Sequence, residues 1–117
     1  MATFQYVKLM SIAAVATGSA AVVYQNASST VTFISSIIIA NTSGAARTVQ
    51  IYNVTNNTGS VGTASSSNLM LKLPLAIDET VVWEVPHPII LDATNDSIQA
   101  VADGSGVNIQ CLGAKYA

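Results

Sequence analysis

The stretch TVTFISSIIIA, residues 30–40, decides the fold of this 117-residue chain. It is rich in β-branched residues, which favour strands. Its Ile37-Ile38-Ile39 run is apolar on both faces of an extended chain. Such a run is typical of a strand in the interior of a sheet, where neither face is open to solvent. We therefore predict a long strand here, in the middle of a sheet.

The segment that follows, Ala46–Val54, alternates well. Val49 and Ile51 face one way, whereas the polar positions between and around them face the other way. A slip of one residue would exchange the two faces, so the pattern fixes the register of this strand. Residues 26–29 and 41–44 have turn composition, and residues 56–68 form a long polar loop.

Turn signals recur about every eight to twelve residues, which is typical of all-β proteins. We expect strands near residues 4–9, 20–25, 30–40, 46–54, 68–73, 79–85, 89–91, 96–102 and 107–112. Pro74 is predicted to end one strand, Pro86-His87-Pro88 to force a corner, and residues 103–106 to connect a hairpin. The chain is therefore predicted to be all-β, an antiparallel β-sandwich or jelly-roll of about eight strands without a substantial helix. An up-and-down barrel is the alternative.

The N-terminal segment differs from the rest. Residues 9–16 are an apolar run that is far too short to cross a bilayer. We interpret residues 1–16 as an N-terminal arm or first strand and residues 17–117 as the β-sandwich domain. As an arm, the segment could add a strand to the sheet edge of a neighbouring protein.

Charge is scarce along the whole chain. Charged residues are 9% of the total, against about 25% in an ordinary soluble domain. Ser, Thr and Asn together number 32, and Val and Ile together number 24. Because a solvated monomer usually carries more charge, we expect a partner or another copy to cover much of the surface. Four basic residues cannot form a phosphate-binding stripe, so we expect neither nucleic acid nor a membrane as partner.

Residues able to do chemistry are few and scattered. His87 lies between two prolines and is predicted to be a corner residue, and Cys111 is predicted to be a small buried hydrophobe. Residues 92–96 lack the acidic spacing and the closing Glu of a calcium loop. We therefore expect no enzyme activity, no cofactor and no metal site.

Aromatic residues give the best candidates for an interface, because they often anchor such surfaces. The candidate interface residues are Phe4, Tyr6, Lys8, Tyr52 and Tyr116. Two interpretations of the terminal aromatics stay open at this point: they anchor a partner, or they fold back onto their own core. Phe33 and Trp83 are predicted to lie in the core.

Four stretches carry a family resemblance: SSIIIANTSGAARTV (35–49), LAIDET (75–80), PIIL (88–91) and DSIQA (96–100). From about residue 18 to 114 the chain resembles a family of small structural proteins encoded by tailed bacteriophages. Residues 94–96 read TND where that family often has A-G-D, and residues 1–17 also depart from its pattern. The resemblance implies a virion component on the capsid surface, a cement or decoration protein that bridges and stabilises neighbouring major capsid subunits. It also implies a homotrimer.

Two other functions stay open. The first is a neck, tail or head-fibre module of the virion, in which the 56–68 loop contacts a host surface. The second is a small carbohydrate-binding β-sandwich, which needs exposed aromatic residues on one face. For that role the sequence offers only Tyr52 and Tyr24.

Overall fold

The computed structural model describes residues 4–116, and it describes the side chains of residues 7–116. Within that range the chain is all-β, and its one short helical element is a 3-10 turn at Ser66–Asn68. The strands are β1 (Phe4–Lys8), β2 (Ala13–Ala14), β3 (Ala21–Gln25), β4 (Val31–Asn41), β5 (Arg47–Val54), β6 (Leu69–Leu75), β7 (Thr80–Leu91), β8 (Ser97–Ala102) and β9 (Val107–Tyr116).

The strands form two antiparallel sheets that pack against each other. The five-stranded sheet has the order β1-β9-β4-β7, and β2 pairs with β9 beyond the end of β1. The four-stranded sheet has the order β3-β8-β5-β6. If β1 and β2 are counted as one interrupted strand, the orders become 1-8-3-6 and 2-7-4-5, which is the connectivity of a jelly-roll. The prediction of an antiparallel sandwich or jelly-roll is confirmed.

The interior position of residues 30–40 is also confirmed, because β4 lies between β9 and β7. Its buried positions change parity within the strand: Thr32 and Ile34 face the core at one end, and Ile37 and Ile39 do so at the other. The pairing with β9 skips Ser35, which is a β-bulge. The extra residue lets one strand keep apolar side chains inward along its whole length.

The core between the sheets consists mainly of aliphatic side chains. Val49 and Ile51 are fully buried, as their alternation predicted. Cys111 is buried as well, as expected. Trp83 packs against the core, but the prediction for Phe33 is wrong. Phe33 lies between the buried residues Thr32 and Ile34, so its side chain is on the opposite, outer face of the sheet.

Prolines do not end strands where the sequence predicted. Pro74 lies within β6, and Pro86 and Pro88 lie within β7. Both are edge strands, where a residue without an N–H need not break a ladder. The predicted corner is instead a large bulge, in which residues 85–88 of β7 stand opposite the single residue Ser35 of β4, since the pairing passes from Glu84 directly to Ile89.

The predicted hairpin between β8 and β9 is also absent, because residues 103–106 cross from one sheet to the other. The turns at residues 26–29 and 41–44 make the same kind of crossing, before and after β4. A buried asparagine holds each of them. Asn26 donates its Nδ2 to the carbonyl oxygens of Thr30 (2.8 Å) and Ala93 (3.0 Å). Asn41 donates its Nδ2 to those of Ala45 (2.9 Å) and Ala76 (3.0 Å).

The N-terminal segment packs onto the rest of the chain. Residues 4–8 pair with residues 112–116 of β9, and Ala13–Ala14 pair with residues 108–109. Leu9 and Val15 contribute to the buried core. From residue 4 onward the segment is therefore strand rather than free arm, while the domain boundary at residue 17 stays a prediction. No helix among residues 4–116 is long and apolar enough to cross a membrane.

Candidate interaction surface

The outer side of the five-stranded sheet is an apolar surface. Its side chains alternate with the buried residues of β4, β7 and β9 and form rows across the strands. We call this set the apolar face. Its rows are Tyr116 with Val31; Ala114 with Phe33 and Ile90; Lys8 with Leu112, Ser36 and Glu84; Gln110 with Ile38 and Val82; and Asn108 with Ala40 and Thr80.

Several large side chains on this face remain exposed to solvent. The exposed fractions of Val82 and Ile90 are both 54%, and that of Tyr116 is 47%. Ile12, which is 67% exposed, extends the face beyond the end of β1. It lines a small apolar hollow together with Ile38 and Ala40. Contiguous exposed apolar surface of this kind marks an interaction site more often than a solvated surface.

Lys8 and Glu84 are the two charged side chains that the rows contain, and they stand in the same row. Lys8 pairs with Leu112, Leu112 with Ser36, and Ser36 with Glu84. The lysine therefore lies at the β1 edge and the glutamate at the β7 edge, about 14 Å apart at three strand spacings. Both side chains are exposed. The face thus combines apolar side chains with a few neutral polar ones, such as Gln110 and Asn108, and carries one cation and one anion at opposite edges.

A notch lies beside Glu84, at the two bulges. Its walls are Ser35 and Ser36 on β4 and residues 84–86 on β7. The notch arises because each strand carries extra residues at the same level, so the sheet surface opens between them. His87 is exposed in the β7 bulge.

The structure brings together four of the five predicted interface residues. Phe4 pairs with Tyr116 through the backbone, Tyr6 with Ala114, and Lys8 with Leu112. The side chains of Phe4 and Tyr6 lie outside the described residues. Tyr52 is elsewhere, on the outer side of the four-stranded sheet, where its hydroxyl donates to Oε1 of Gln50 (3.0 Å).

The outer side of the four-stranded sheet is polar by comparison. An open groove of about 500 Å³ is lined by side chains that include Thr48, Gln50, Lys72 and Asp103. The 56–68 loop is held in place by hydrogen bonds with the start of β8 and the turn before it. Nε2 of Gln99 donates to the carbonyl oxygen of Gly62 (2.9 Å).

Asp96 fastens the start of the 56–68 loop. Its Oδ1 accepts hydrogen bonds from the backbone N (2.9 Å) and the Nδ2 (2.9 Å) of Asn56, and its Oδ2 accepts one from the backbone N of Ala93 (3.2 Å). Burial raises the pKa of Asp96, but these hydrogen bonds favour the charged form more strongly, so its pKa lies below the ordinary value. The carboxylate is thus a structural hydrogen-bond acceptor.

Groups with catalytic potential do not converge in the part of the chain that the structure describes. Across residues 7–116, no cluster of three His, Cys, Asp or Glu side chains is placed to hold a metal ion. Burial raises the pKa of Cys111 to about 12, so this thiol stays protonated.

Sequence reasoning missed several residues of the apolar face, namely Ile12, Val82, Ile90 and Glu84. The signal was present for Val82, which alternates with Val81 and Trp83. For Ile90 it was obscured, because the corner predicted at residues 86–88 separated residues 89–91 from the alternation of residues 79–85, although Val82, Glu84 and Ile90 share one parity. No protein-family model and no curated protein matches the chain.

Proposed function

We propose that this protein is a non-enzymatic structural component of a tailed-phage virion, a cement or decoration protein on the capsid surface. It would bridge neighbouring major capsid subunits and stabilise the shell. The observation that carries the proposal is the apolar face, where side chains such as Val82 and Ile90 are exposed and the rows contain only two charged side chains, one at each edge. Exposed apolar side chains of this kind are stabilised when another protein covers them and removes them from water.

The rigidity of the domain supports a mechanical role. Each turn that flanks β4 is fixed by a fully hydrogen-bonded buried asparagine. Among the residues whose side chains are described, no buried side-chain polar atom lacks a hydrogen-bond partner. A domain of this kind transmits load between the proteins that it contacts, since its interior has few loose groups to yield. The sequence resemblance supplies the virion context.

Binding to particles lacking this protein tests the proposal. We expect wild-type protein to bind such particles and to raise the temperature at which they release DNA. Val82→Lys, which places a charge in the apolar face, should reduce occupancy by about ten-fold or more. Val22→Lys is the matched control, because Val22 is also an exposed strand valine but lies in the four-stranded sheet. Equal occupancy of both variants and wild type would refute the role of the apolar face.

Point substitutions serve better here than truncation. Deleting residues 2–10 would remove β1, whose five residues pair with β9. Such a variant loses part of the sheet together with any arm, so its failure to bind would not separate the two effects.

A neck, tail or head-fibre module is the second virion role. The ordered 56–68 loop favours it, since the bonds from Gln99 and Asp96 present this loop in one conformation. Copy number separates the two roles. Hundreds of copies per particle support decoration, whereas a dozen or fewer support the neck or tail.

Carbohydrate binding has less support. The polar groove beside Thr48 and Gln50 could accept a sugar, but the described residues lining it include no aromatic ring. The nearby hydroxyl of Tyr52 is already bonded to Gln50. Failure to bind a glycan array would exclude this function.

A further inference from the structure

We propose that the apolar face binds a second copy of this chain, face to face, about a two-fold axis parallel to the strands. The inference deepens the proposed function by naming what covers the apolar face. It rests on the proposed function only for the premise that this face is covered in the assembly. The geometry of the pair follows from the positions of Lys8 and Glu84 at opposite edges of one row.

The row arrangement selects the axis. A two-fold axis along the strands, between β9 and β4, lays the β1 edge of one protomer over the β7 edge of its partner. Lys8 of each protomer then lies over Glu84 of the other, which makes two equivalent ion pairs. An axis across the strands, along this row, would instead stack Lys8 on Lys8 and Glu84 on Glu84, and like charges facing each other are unfavourable.

The same two-fold axis also brings exposed apolar side chains of the two protomers into contact. Ile12 precedes Ala13, which pairs with Ile109, so Ile12 lies near the level of Gln110, Ile38 and Val82. It is at the β1 edge, and Val82 is at the β7 edge. The axis therefore places Ile12 of one protomer over Val82 of the other. These two residues are 67% and 54% exposed in the single chain, and each would be covered by the other.

The central strands complement each other in size. In the row of Lys8, Leu112 of β9 lies over the partner's Ser36. This contact sets a large side chain against a small one, which is the arrangement by which two packed layers interdigitate. Aligned sheets pack about 10 Å apart in this way, with an angle near 30° from their twist.

The size of the face suits a stable pair. Four strands at about 4.8 Å spacing and eleven residues of β4 at about 3.4 Å each give on the order of 700 Å² in projection. A standard protein interface buries about 800 Å² on each partner. The apolar face is therefore large enough to supply most of one side of a specific contact.

Charge reversal tests the pair in the isolated full-length protein. Sedimentation equilibrium at low salt should give the mass of two chains for wild type. Lys8→Glu or Glu84→Lys alone should weaken association by about 10- to 100-fold, because each turns both ion pairs into repulsions. The double variant restores opposite charges and should return the dissociation constant to within about three-fold of wild type. Circular dichroism confirms folding of each variant.

A matched pair of variants tests the apolar contact separately. Val82→Lys should dissociate the pair, and Val22→Lys on the four-stranded sheet should not. A monomer at all concentrations, a trimer, or a double variant as weak as the single ones would overturn the pair. Particle binding by a chain that stays monomeric would overturn the pair and leave the proposed function standing. If the protein forms the pair but does not bind particles, the pair would stand and the proposed function would be overturned.

Discussion

Replacement of Asn26 by alanine gives the sharpest test of how the sandwich is held together. Asn26 is 1% exposed and lies just before β4. Its Nδ2 donates to the carbonyl oxygens of Thr30 (2.8 Å) and Ala93 (3.0 Å), and its Oδ1 accepts from the hydroxyl of Thr32 (2.7 Å). One side chain thus joins the turn before β4 to the turn between β7 and β8.

The expected loss can be estimated from these bonds. Alanine would leave the carbonyl oxygen of Thr30 without this donor, which costs about 1–3 kcal/mol, and would remove one of the two hydrogen bonds that the carbonyl oxygen of Ala93 accepts, which contributes about 1 kcal/mol. The hydroxyl of Thr32 keeps a contact with the hydroxyl of Tyr24 (3.3 Å), so we count only the carbonyl groups. The sum is about 3 kcal/mol. A domain of this length is stable by about 6–18 kcal/mol, so the loss is a large fraction of the total.

Urea denaturation at fixed protein concentration measures this loss. With an m-value of about 1.5 kcal/mol/M, the midpoint should fall by about 2 M urea without a change in m. Asn53→Ala is the matched control, because Asn53 is exposed in β5, and its midpoint should move by less than about 0.3 M. A fall of less than about 0.5 M for Asn26→Ala would refute the estimate, since water would then be replacing the amide.

Three further results are expected. Gly113→Ala should destabilise the fold by more than about 2 kcal/mol in the same assay, because a Cβ there would clash with the backbone carbonyl oxygen of Phe33. Gly44→Ala, with no atom within 4 Å of the added Cβ, should have little effect, and equal losses would contradict the steric reason. Stability should fall as the pH drops below about 4, because the pKa of Asp96 is lower in the folded state than in the unfolded state, where it is about 3.9. The charged carboxylate stabilises the fold fully above the unfolded pKa, and this contribution is lost as the pH falls through the folded pKa. Asp96→Asn should flatten this part of the pH profile, and an unchanged slope would assign it to other carboxylates. Cys111, with a pKa of about 12, should react with thiol reagents at pH 8 only after unfolding, and rapid labelling of folded protein would contradict its burial.

Periodicity predicted the regular parts of the fold well. The alternation of Val49 and Ile51 with polar neighbours gave the register of β5, and the Ile37-Ile38-Ile39 run gave the interior position of β4. These positions follow from local sequence because each strand has one core side, and a single slip would expose it.

Local pattern failed where the strands are irregular. A bulge at Ser35 reverses which residues of β4 face inward, so the prediction that Phe33 lies in the core is wrong. The only hint was the polar pair Ser35-Ser36 between two apolar stretches of opposite parity. Proline rules failed at Pro74 and Pro86 because both lie on edge strands, and edge position depends on the whole topology.

The asparagines were only partly predictable. Asn26 and Asn41 were both expected in turns, and both donate to the carbonyl oxygen four residues ahead. That they are buried and reach a second turn depends on contacts with residues 67 and 35 positions away. The apolar face was hidden for a similar reason, since its rows combine residues from four strands that are far apart in sequence.

The pairing of β1 with β9 has a consequence for how the chain folds. Phe4 lies opposite Tyr116, so the first strand of the sheet has no neighbour until the last strand has been synthesised. During synthesis, the N-terminal segment therefore stays unpaired, with Leu9 and Val15 exposed, until β9 has been made. Such distant contacts slow folding, because the loop that they close contains all the strands from β2 to β8. The five-stranded sheet should consequently be completed only after β9 has been synthesised, with β1 and β2 among the last strands to join it.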